Sequence, residues 1–554
     1  MKTTRQMKTM KQMLMTLFVV CLACPGTVWT QNHAEPASSN SSALPALSTA
    51  PAPAPGTPSA GVSPASFLVT KITTSESRLL SPAEIREITG RYEQRRLTQK
   101  DLDQMVEEFN HLYAKRGFQT ARAVLVAQTV NDGVVNVQLI EARVGRIVLE
   151  NNTRTRASYF RARIPAYPGE VLRLGDVQQN LAYFNATTDL QMRAVMQPGQ
   201  TFGTTDLALA VQGPREFEVT TFTDNAGRDT IGLYRAGANA TYRSLFGKRD
   251  PLSLGFLGAD GTLGANASYG IPLDRRGTKL TMLGDYNTIA IGGAVLGSTD
   301  MSGHSSDGTL MLSRPLLVRL NNILSASVAA HYKYSLLSSA GLQLTRTNVR
   351  SLELSTDFQR YDSRGSWLVR NDLNGGFYSV SGSSEFFRFN STLMRGTTLG
   401  RNFTMITRLS GQWNALNPLP SIEQMQIGGA SSVRGYSEAA LAGDSGFIGS
   451  SELTFPFLRH QWATRVQAAT FVDAGGVFGR GLSTATQPRD SRLLSVGFGF
   501  VAKISTRVSG RIDFGVPVRN TVGISPVGIH FSVQSTFGLP RRWSPTPRGQ
   551  WATQ

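Results

Sequence analysis

The sequence predicts a membrane all-β protein, a transmembrane β-barrel preceded by two small α+β modules. Three observations carry that prediction. The N-terminus has the make-up of an export leader. No later segment offers the roughly 18 consecutive apolar residues of a membrane-spanning helix. From about Pro214 to Phe537 the chain runs in short apolar/polar alternations broken by Gly, Asp and Asn, the pattern of strands with one face toward lipid and one toward a polar lumen. A chain that enters a bilayer without apolar helices must close its strands into a barrel, because only closure satisfies every backbone donor and acceptor.

The leader comes first. Lys2, Arg5, Lys8 and Lys11 precede the apolar run from Met13 to Leu22, and Pro25-Gly26 breaks it. That run is too short to span a bilayer, so residues 1–30 read as a signal peptide. Both cysteines, Cys21 and Cys24, fall inside it, so the remainder is expected to fold by packing and backbone pairing without a disulfide. The formal charge is +18, and residues 1–30 hold four Lys/Arg and no acid, which leaves +14. In an exported protein with its basic residues scattered among Gly, Ser and Thr, this charge suits loops facing anionic lipid headgroups or an acidic partner. Nucleic acid is not an expected partner. Residues 31–66 are Ala, Pro, Ser and Thr without apolar period, including Ala50-Pro51-Ala52-Pro53-Ala54-Pro55, and read as an extended linker.

The first module, residues 67–142, opens with a strand around Phe67-Leu68-Val69 and Ile72. Ser81-Pro82-Ala83-Glu84 is a helix start with cap, first-position proline and capping box together. Thr98 and Asp101 repeat the signal ahead of Leu102, Met105, Val106, Phe109, Leu112 and Tyr113, a helical stripe that stops at Gly117. A hairpin is expected from Ala123–Val130 and Val134–Ile140 around Asn131-Asp132-Gly133. A second, looser copy fills residues 143–213: a strand from Arg146 to Glu150, a stripe at Leu174, Val177, Leu181 and Phe184, and strands at Met192–Met196 and Leu207–Val211.

In the barrel region, residues 214–537, the clearest strand is Leu352–Gln359. There Leu352, Leu354, Thr356 and Phe358 share a parity for lipid, while Glu353, Ser355, Asp357 and Gln359 share the lumen parity. Leu494, Val496, Phe498 and Phe500 alternate likewise, as do Ile512, Phe514 and Val516. In the last strand Val527, Ile529, Phe531, Val533 and Phe537 take one parity and His530, Ser532, Gln534 and Thr536 the other. A tail, residues 538–554, follows.

Two segments are specific rather than compositional. One is Gln426-Ile427-Gly428-Gly429-Ala430-Ser431-Ser432-Val433-Arg434-Gly435-Tyr436; the other is Phe471-Val472-Asp473-Ala474-Gly475. In the first, glycines bracket an arginine and a tyrosine in a long inter-strand connection. In the second, parity places Asp473 on the lumen face with Phe471. Spacing alone leaves two readings open: a bidentate pair of Arg434 with Asp473 that pins the loop inside the barrel, or an ordinary loop arginine and a solvated lumen aspartate.

The module order, the segment "MQPGQTFGTTDLALAVQ" that closes the second module, and above all these two motifs resemble the two-partner secretion outer-membrane transporters of the TpsB type. These are the ShlB/FhaC/HecB-like haemolysin and adhesin secretion proteins of the POTRA-barrel translocase superfamily. The resemblance runs from about Phe67 to Phe537. It implies that the two modules are periplasmic POTRA domains, that the barrel has about 16 strands, and that the loop bearing Val433, Arg434, Gly435 and Tyr436, with Gly428 and Gly429, folds into the lumen to pair with Asp473. It implies a secreted partner exoprotein recognised through its N-terminal secretion domain, and a C-terminal aromatic, Phe537, read by the barrel assembly machinery. A helix that plugs the pore ahead of the first POTRA domain is common in the family, but residues 31–66 show no helical period.

No cofactor, metal or catalytic residue is expected. Gly443-Asp444-Ser445-Gly446 spells a serine-protease nucleophile motif, but Phe447 follows it and no histidine is linked to it as a base. There is no phosphate-binding Gly-rich loop and no clustered His/Cys set. The run Arg154, Arg156, Arg161 and Arg163 reads as a solvated loop, with an acidic cargo segment as the sharper alternative. The expected function is export of one partner polypeptide through the outer membrane. An assembly factor for other barrels, or a passive porin, is the alternative.

Overall fold

The computed structural model describes residues 66–554 except 131, 152, 165, 292–299, 381, 460–464, 480–489, 519–525, 539–548 and 551–554. The predicted signal peptide, nearly all of the predicted linker and most of the predicted tail lie outside the described residues. Two compact units divide the chain, one within residues 39–214 and 542–554 and the other within residues 215–541.

In the first unit, residues 66–142 form β1 (Phe67–Val69), β2 (Lys71–Thr74), α1 (Pro82–Thr89), β3 (Arg95–Leu97), α2 (Gln99–Lys115), β4 (Arg122–Leu125) and β5 (Val134–Ile140). Both helices begin where local chemistry says they must. The Ser81 hydroxyl accepts the Glu84 N–H while the Glu84 carboxylate accepts the Ser81 N–H, and Thr98 and Asp101 make the same reciprocal pair. Two orphan backbone donors are thereby satisfied at each start. Along α2, Met105, Phe109 and Tyr113 are fully buried on one stripe, against Val135 and Val137 of β5. Each such side chain contributes about 1.5–3 kcal/mol by leaving water.

Two features depart from the sequence-based expectation. The short β3, paired antiparallel with β1, lies between the helices and has no alternation long enough to announce it. The predicted tight hairpin also fails: β4 pairs with β5 only from Arg122↔Ile140 to Leu125↔Val137. Asp132 and Gly133 do adopt left-handed φ of 56° and 74°. They serve another partner, however, since the Gly133 carbonyl accepts the Thr70 and Lys71 N–H groups and β2 runs parallel to β5 from Lys71↔Val134. The turn residues are spent on joining β2 to the sheet.

Residues 143–214 repeat the theme with β6 (Arg143–Asn151), α3 (Ala157–Arg161), α4 (Leu174–Thr187), β7 (Gln191–Pro198) and β8 (Thr204–Gln212). β8 is parallel to β6 and antiparallel to β7. The short α3 was not foreseen. It carries Tyr159 and Phe160 into an aromatic cluster with Phe184, with Tyr159 edge-on to both partners at centroid distances of 5.7 and 6.4 Å. Arg163, part of the basic run, lies 3.6 Å over the Tyr159 ring and donates to the Tyr159 carbonyl at 3.1 Å. Its stem and charge therefore finish a local structure. From the tail, Gly549 and Gln550 pair their backbone with Leu149 and Val148 on β6.

The second unit is a closed antiparallel barrel of 16 strands. Its first half comprises β9 (Phe217–Asp224), β10 (Arg235–Tyr242), β11 (Leu252–Ala259), β12 (Thr262–Pro272), β13 (Lys279–Ile291), β14 (Met301–Val318), β15 (Asn322–Ser339) and β16 (Leu342–Asp362). Next come β17 (Gly365–Ser379), β18 (Ser383–Leu399) and β19 (Phe403–Asn414), then the loop strands β20 (Met425–Ile427), β21 (Gly435–Tyr436) and β22 (Leu441–Gly443). The wall resumes with β23 (Ser445–Arg459), β24 (Arg465–Phe478), β25 (Asp490–Lys503) and β26 (Val508–Pro517). After the two-residue β27 (Pro526–Val527), β28 (Ile529–Gly538) closes the cylinder against β9.

Period-two alternation gives each wall strand two different faces. On β16, Leu352 and Leu354 are exposed whereas Ser355 is buried, the outward-apolar arrangement that lipid requires. β25 repeats it, with Val496 and Phe498 outside and Ser495 fully buried. One residue of the last predicted strand belongs elsewhere. Val527 is not in the wall; it pairs with Gly435 in β21, because Gly528 separates the two strands and the chain there serves the loop. Among the described residues no helix is long and apolar enough to cross a membrane.

Candidate functional site

The loop between β19 and β23 carries the first motif, and its base is sewn by the residues that spell the protease sequence. Asp444 is buried, and its Oδ1 accepts the Leu419 N–H and the Gln424 amide, each at 3.0 Å. Ser445 Oγ accepts the Asn414 N–H at 3.0 Å. This is the chemistry of a loop clamp, with carboxylate and hydroxyl consumed by backbone donors. Above the base, β20 and β22 pair from Met425↔Gly443 to Ile427↔Leu441, which narrows the loop to a tip of residues 428–440.

The tip turns on Gly428 and Gly429, with φ of 108° and 97°. The Gly428 N–H donates to Ser432 Oγ at 2.8 Å. Val433 and Ile427 are fully buried and pack with Tyr436, Leu441, Val477 and Leu493. Tyr436 donates its hydroxyl to the Leu494 carbonyl at 2.9 Å, fixing the far side of the tip to β25.

Arg434 and Asp473 meet. Arg434 Nε donates to Asp473 Oδ2 at 2.7 Å and Nη2 to Oδ1 at 2.9 Å, and the Arg434 backbone N–H adds 3.2 Å to Oδ2. Ser450 Oγ donates to Asp473 Oδ1 at 2.6 Å. Asp473 is 0 % and Arg434 5 % exposed, so both charges have left water. The guanidinium lies 3.4 Å over the Phe471 ring centroid, which places one face of the cation against a π-cloud. Its remaining Nη1 donates to Glu452 Oε2 at 2.6 Å.

The pair is the centre of a network. Arg511 on β26 donates to Glu452 Oε1 at 3.1 Å and to Asp513 Oδ2 at 2.6 Å, and Arg408 on β19 lies in electrostatic range of Glu452 and Asp473. Three cations thus face three carboxylates. Balance of this kind offsets a desolvation cost of several kcal/mol per ion. It contributes little net stability and a great deal of positional definition, because removing one member leaves an uncompensated buried charge, at about 3–5 kcal/mol.

Backbone contact completes the seat. The Gly435 N–H donates to His530 Nε2 at 3.1 Å. A Cβ on Gly515 of β26 would stand 2.6 Å from Gly435 N and 2.7 Å from its Cα, so the loop lies backbone to backbone on the wall only because both residues are glycine. Gly475 likewise leaves room for Val433, whose Cγ2 would be 3.0 Å from an added Cβ. Phe537 is far from this site in function: it is half exposed and pairs with Val219 of β9 at the barrel seam.

Sequence reasoning missed Glu452, Arg511 and Gly515. Asp513 and His530 stand at the lumen parity of strands read from sequence, yet parity names a face and not a neighbour. The residues that meet Arg434 come from three strands, and no local signal links them.

A closed 16-strand barrel whose lumen holds a long, charge-locked loop, on a chain with small α+β modules ahead of the barrel, defines an outer-membrane polypeptide translocase of the POTRA-barrel kind. The model of the haemolysin secretion/activation protein ShlB/FhaC/HecB family matches residues 203–502, and that of the ShlB-type POTRA domain matches residues 67–142. The outer membrane transporter CdiB of Dickeya dadantii is 24% identical over 489 residues, covering 83% of this chain and 84% of that protein. The hemolysin transporter protein ShlB of Serratia marcescens is 24% identical over 457 residues, covering 75% and 78%. Among solved structures, CdiB from Escherichia coli superposes with a TM-score of 0.64 at 18% identity, over 87% of this chain and 93% of that one. BamA from Haemophilus ducreyi lacking POTRA domains 1–3 gives a TM-score of 0.52 at 16% identity, over 85% and 100%, a likeness of fold alone.

The chain belongs to the ShlB/FhaC/HecB family of haemolysin secretion/activation proteins. It is an outer-membrane transporter that exports a partner exoprotein, with its POTRA region on the periplasmic side.

Proposed function

We propose that the loop from residue 415 to 444 is the gate of this transporter and that the Arg434–Asp473 pair is its latch. The observation that carries the reading is the fully desolvated, bidentate engagement of one loop arginine by one wall aspartate. With the loop seated, the lumen is occupied; an extended polypeptide needs that space, so passage requires the loop to leave. Phe471 and Gly475 serve the same latch, one as the face on which the cation rests and the other as the space for Val433.

The POTRA modules capture the N-terminal secretion domain of the partner, by adding a strand to a sheet edge. The hemolysin transporter of Serratia marcescens and the heme/hemopexin transporter HuxB of Haemophilus influenzae are named for their transport roles, and the cargo here is of the haemolysin or adhesin type that the sequence resemblance implies. Folding of that cargo outside the cell supplies the drive. Phe537, the outward aromatic of the closing strand, is the feature the barrel assembly machinery reads during insertion into outer-membrane lipid. The protein works without catalysis.

Export of the partner by Arg434→Ala and Asp473→Asn variants tests the gate. Both should insert into the membrane and lose secretion, because productive passage needs a loop that returns to one defined seat as well as one that leaves it. Normal export by Arg434→Ala would sink the reading. The likeness to BamA keeps one competing outcome in view: depletion should remove one secreted protein, whereas broad loss of outer-membrane proteins would favour an assembly role.

A further inference from the structure

We propose that Glu423 is a second latch of the same loop, set against a different arc of the barrel wall and independent of Arg434; this rests on the gating reading above. Glu423 ends a single 3-10 turn, Ser421–Glu423, on the ascending limb of the loop. It is a carboxylate in a wholly buried position, 1 % exposed. Lys333 Nζ on β15 stands 2.8 Å from its Oε1, and Arg388 Nη1 on β18 stands 2.6 Å from its Oε2. The Arg434 partners lie on β23, β24 and β26, so the loop is anchored at two separate stretches of the cylinder.

The geometry of this anchor differs from that of the first. Arg388 Nη1 spends an aligned hydrogen bond on the Glu423 carbonyl at 3.0 Å, and the carboxylate oxygens meet their cations off the hydrogen-bonding line. Glu423 is therefore held by two separate single contacts rather than by one bidentate fork. Such contact is less demanding of angle than the Arg434 fork, which suits a limb that must slide before the tip turns out.

The local fold does not need the carboxylate. Asp444 already sews this limb through Leu419 and Gln424, and Gln412 holds the Glu423 carbonyl at 3.1 Å. A buried ion pair contributes little net stability compared with an apolar residue of similar size. What Glu423 does supply is a charge whose partners both belong to the wall, with Lys333 also within 3.9 Å of Asp307. When the loop departs, Lys333 keeps a carboxylate nearby and the lumen keeps its polar lining.

The experiment reads loop position directly. A Ser432→Cys reporter, buried in the seated loop, is labelled from outside by a membrane-impermeant maleimide on cells carrying the full chain; the chain without the reporter controls for Cys21 and Cys24. Glu423→Gln should raise the labelling rate about tenfold or more, the discounted effect of removing one partner of a buried ion pair. Lys333→Gln with Arg388→Gln should copy it, and adding Glu423→Gln to that pair should change little. Combined with Arg434→Ala, Glu423→Gln should multiply the labelling rate rather than leave it unchanged. If Arg434→Ala raises labelling and neither Glu423→Gln nor the wall pair does, the second latch is wrong and the gate stands. If none of them raises it, both readings fall. Should Glu423→Gln fail to assemble, judged by heat-modifiable migration of the barrel, the wall pair decides alone.

Discussion

The POTRA modules and the barrel lumen are two interiors built on opposite chemistry. In the first module the interior is Met105, Phe109 and Tyr113 packed on valines of the sheet; in the lumen it is Arg434, Asp473, Glu423, Asp513 and His530, all buried. The apolar interior gains stability from every atom that leaves water. The charged interior barely gains. That difference fits an element that holds its shape against one that, under the gating proposal, vacates a channel.

The largest effect expected from testing that contrast is at the lumen. Arg434→Ala should reduce secretion by an order of magnitude or more, in keeping with about 3–5 kcal/mol for orphaning Asp473, while the amount of folded barrel in the membrane stays the same. Arg434→Lys should fall between, because an ammonium cannot reproduce the planar fork. Quantified cargo in the medium and heat-modifiable migration check both halves; loss of the barrel itself would mean that the lumen stabilises the wall after all.

Phe109→Ala should cost about 3–5 kcal/mol in the first module. Amide exchange in α2 of the full-length protein should accelerate steeply, with the wall strands unaffected.

A smaller effect is expected from Thr98→Ala, which removes one capping hydroxyl at α2 for about 1 kcal/mol. Exchange at the first turn of α2 reads it, and equal protection in the variant would count against the cap.

The smallest effect concerns acid. The Arg146 backbone N–H, followed by the guanidinium of the same residue, holds the Asp206 carboxyl below the usual carboxylate range. A lowered folded-state value means the contribution is complete above the unfolded value, 3.8, and is lost as pH falls through the folded one. The second module should therefore soften only below about pH 4, and Asp206→Asn should remove that part of the acid response in a proteolysis-versus-pH series.

Much of the fold could be read before any coordinates. Ser81 with Glu84 and Thr98 with Asp101 announce helices because a capping box is satisfied within four residues. Leu352 and Leu354 beside Glu353 and Ser355 announce a two-faced strand because the side-chain period of two is local. β3, α3 and the shortened β4 could not be read, since each exists by pairing with or packing on residues distant in sequence.

For the loop, the sequence alone determined which residues were chemically unusual: an arginine and a tyrosine among glycines, and an aspartate at lumen parity. Tertiary structure decided the rest. Only closure of the cylinder sets Glu452, Arg511, Asp513 and His530 around Arg434, sets Gly515 under Gly435, and sets Lys333 and Arg388 about Glu423. The physical reason is one of range. Periodicity and caps act over a few residues, whereas these charges lie tens of residues apart on different strands and the loop, and a charge finds its partner there only after the curved sheet has assembled.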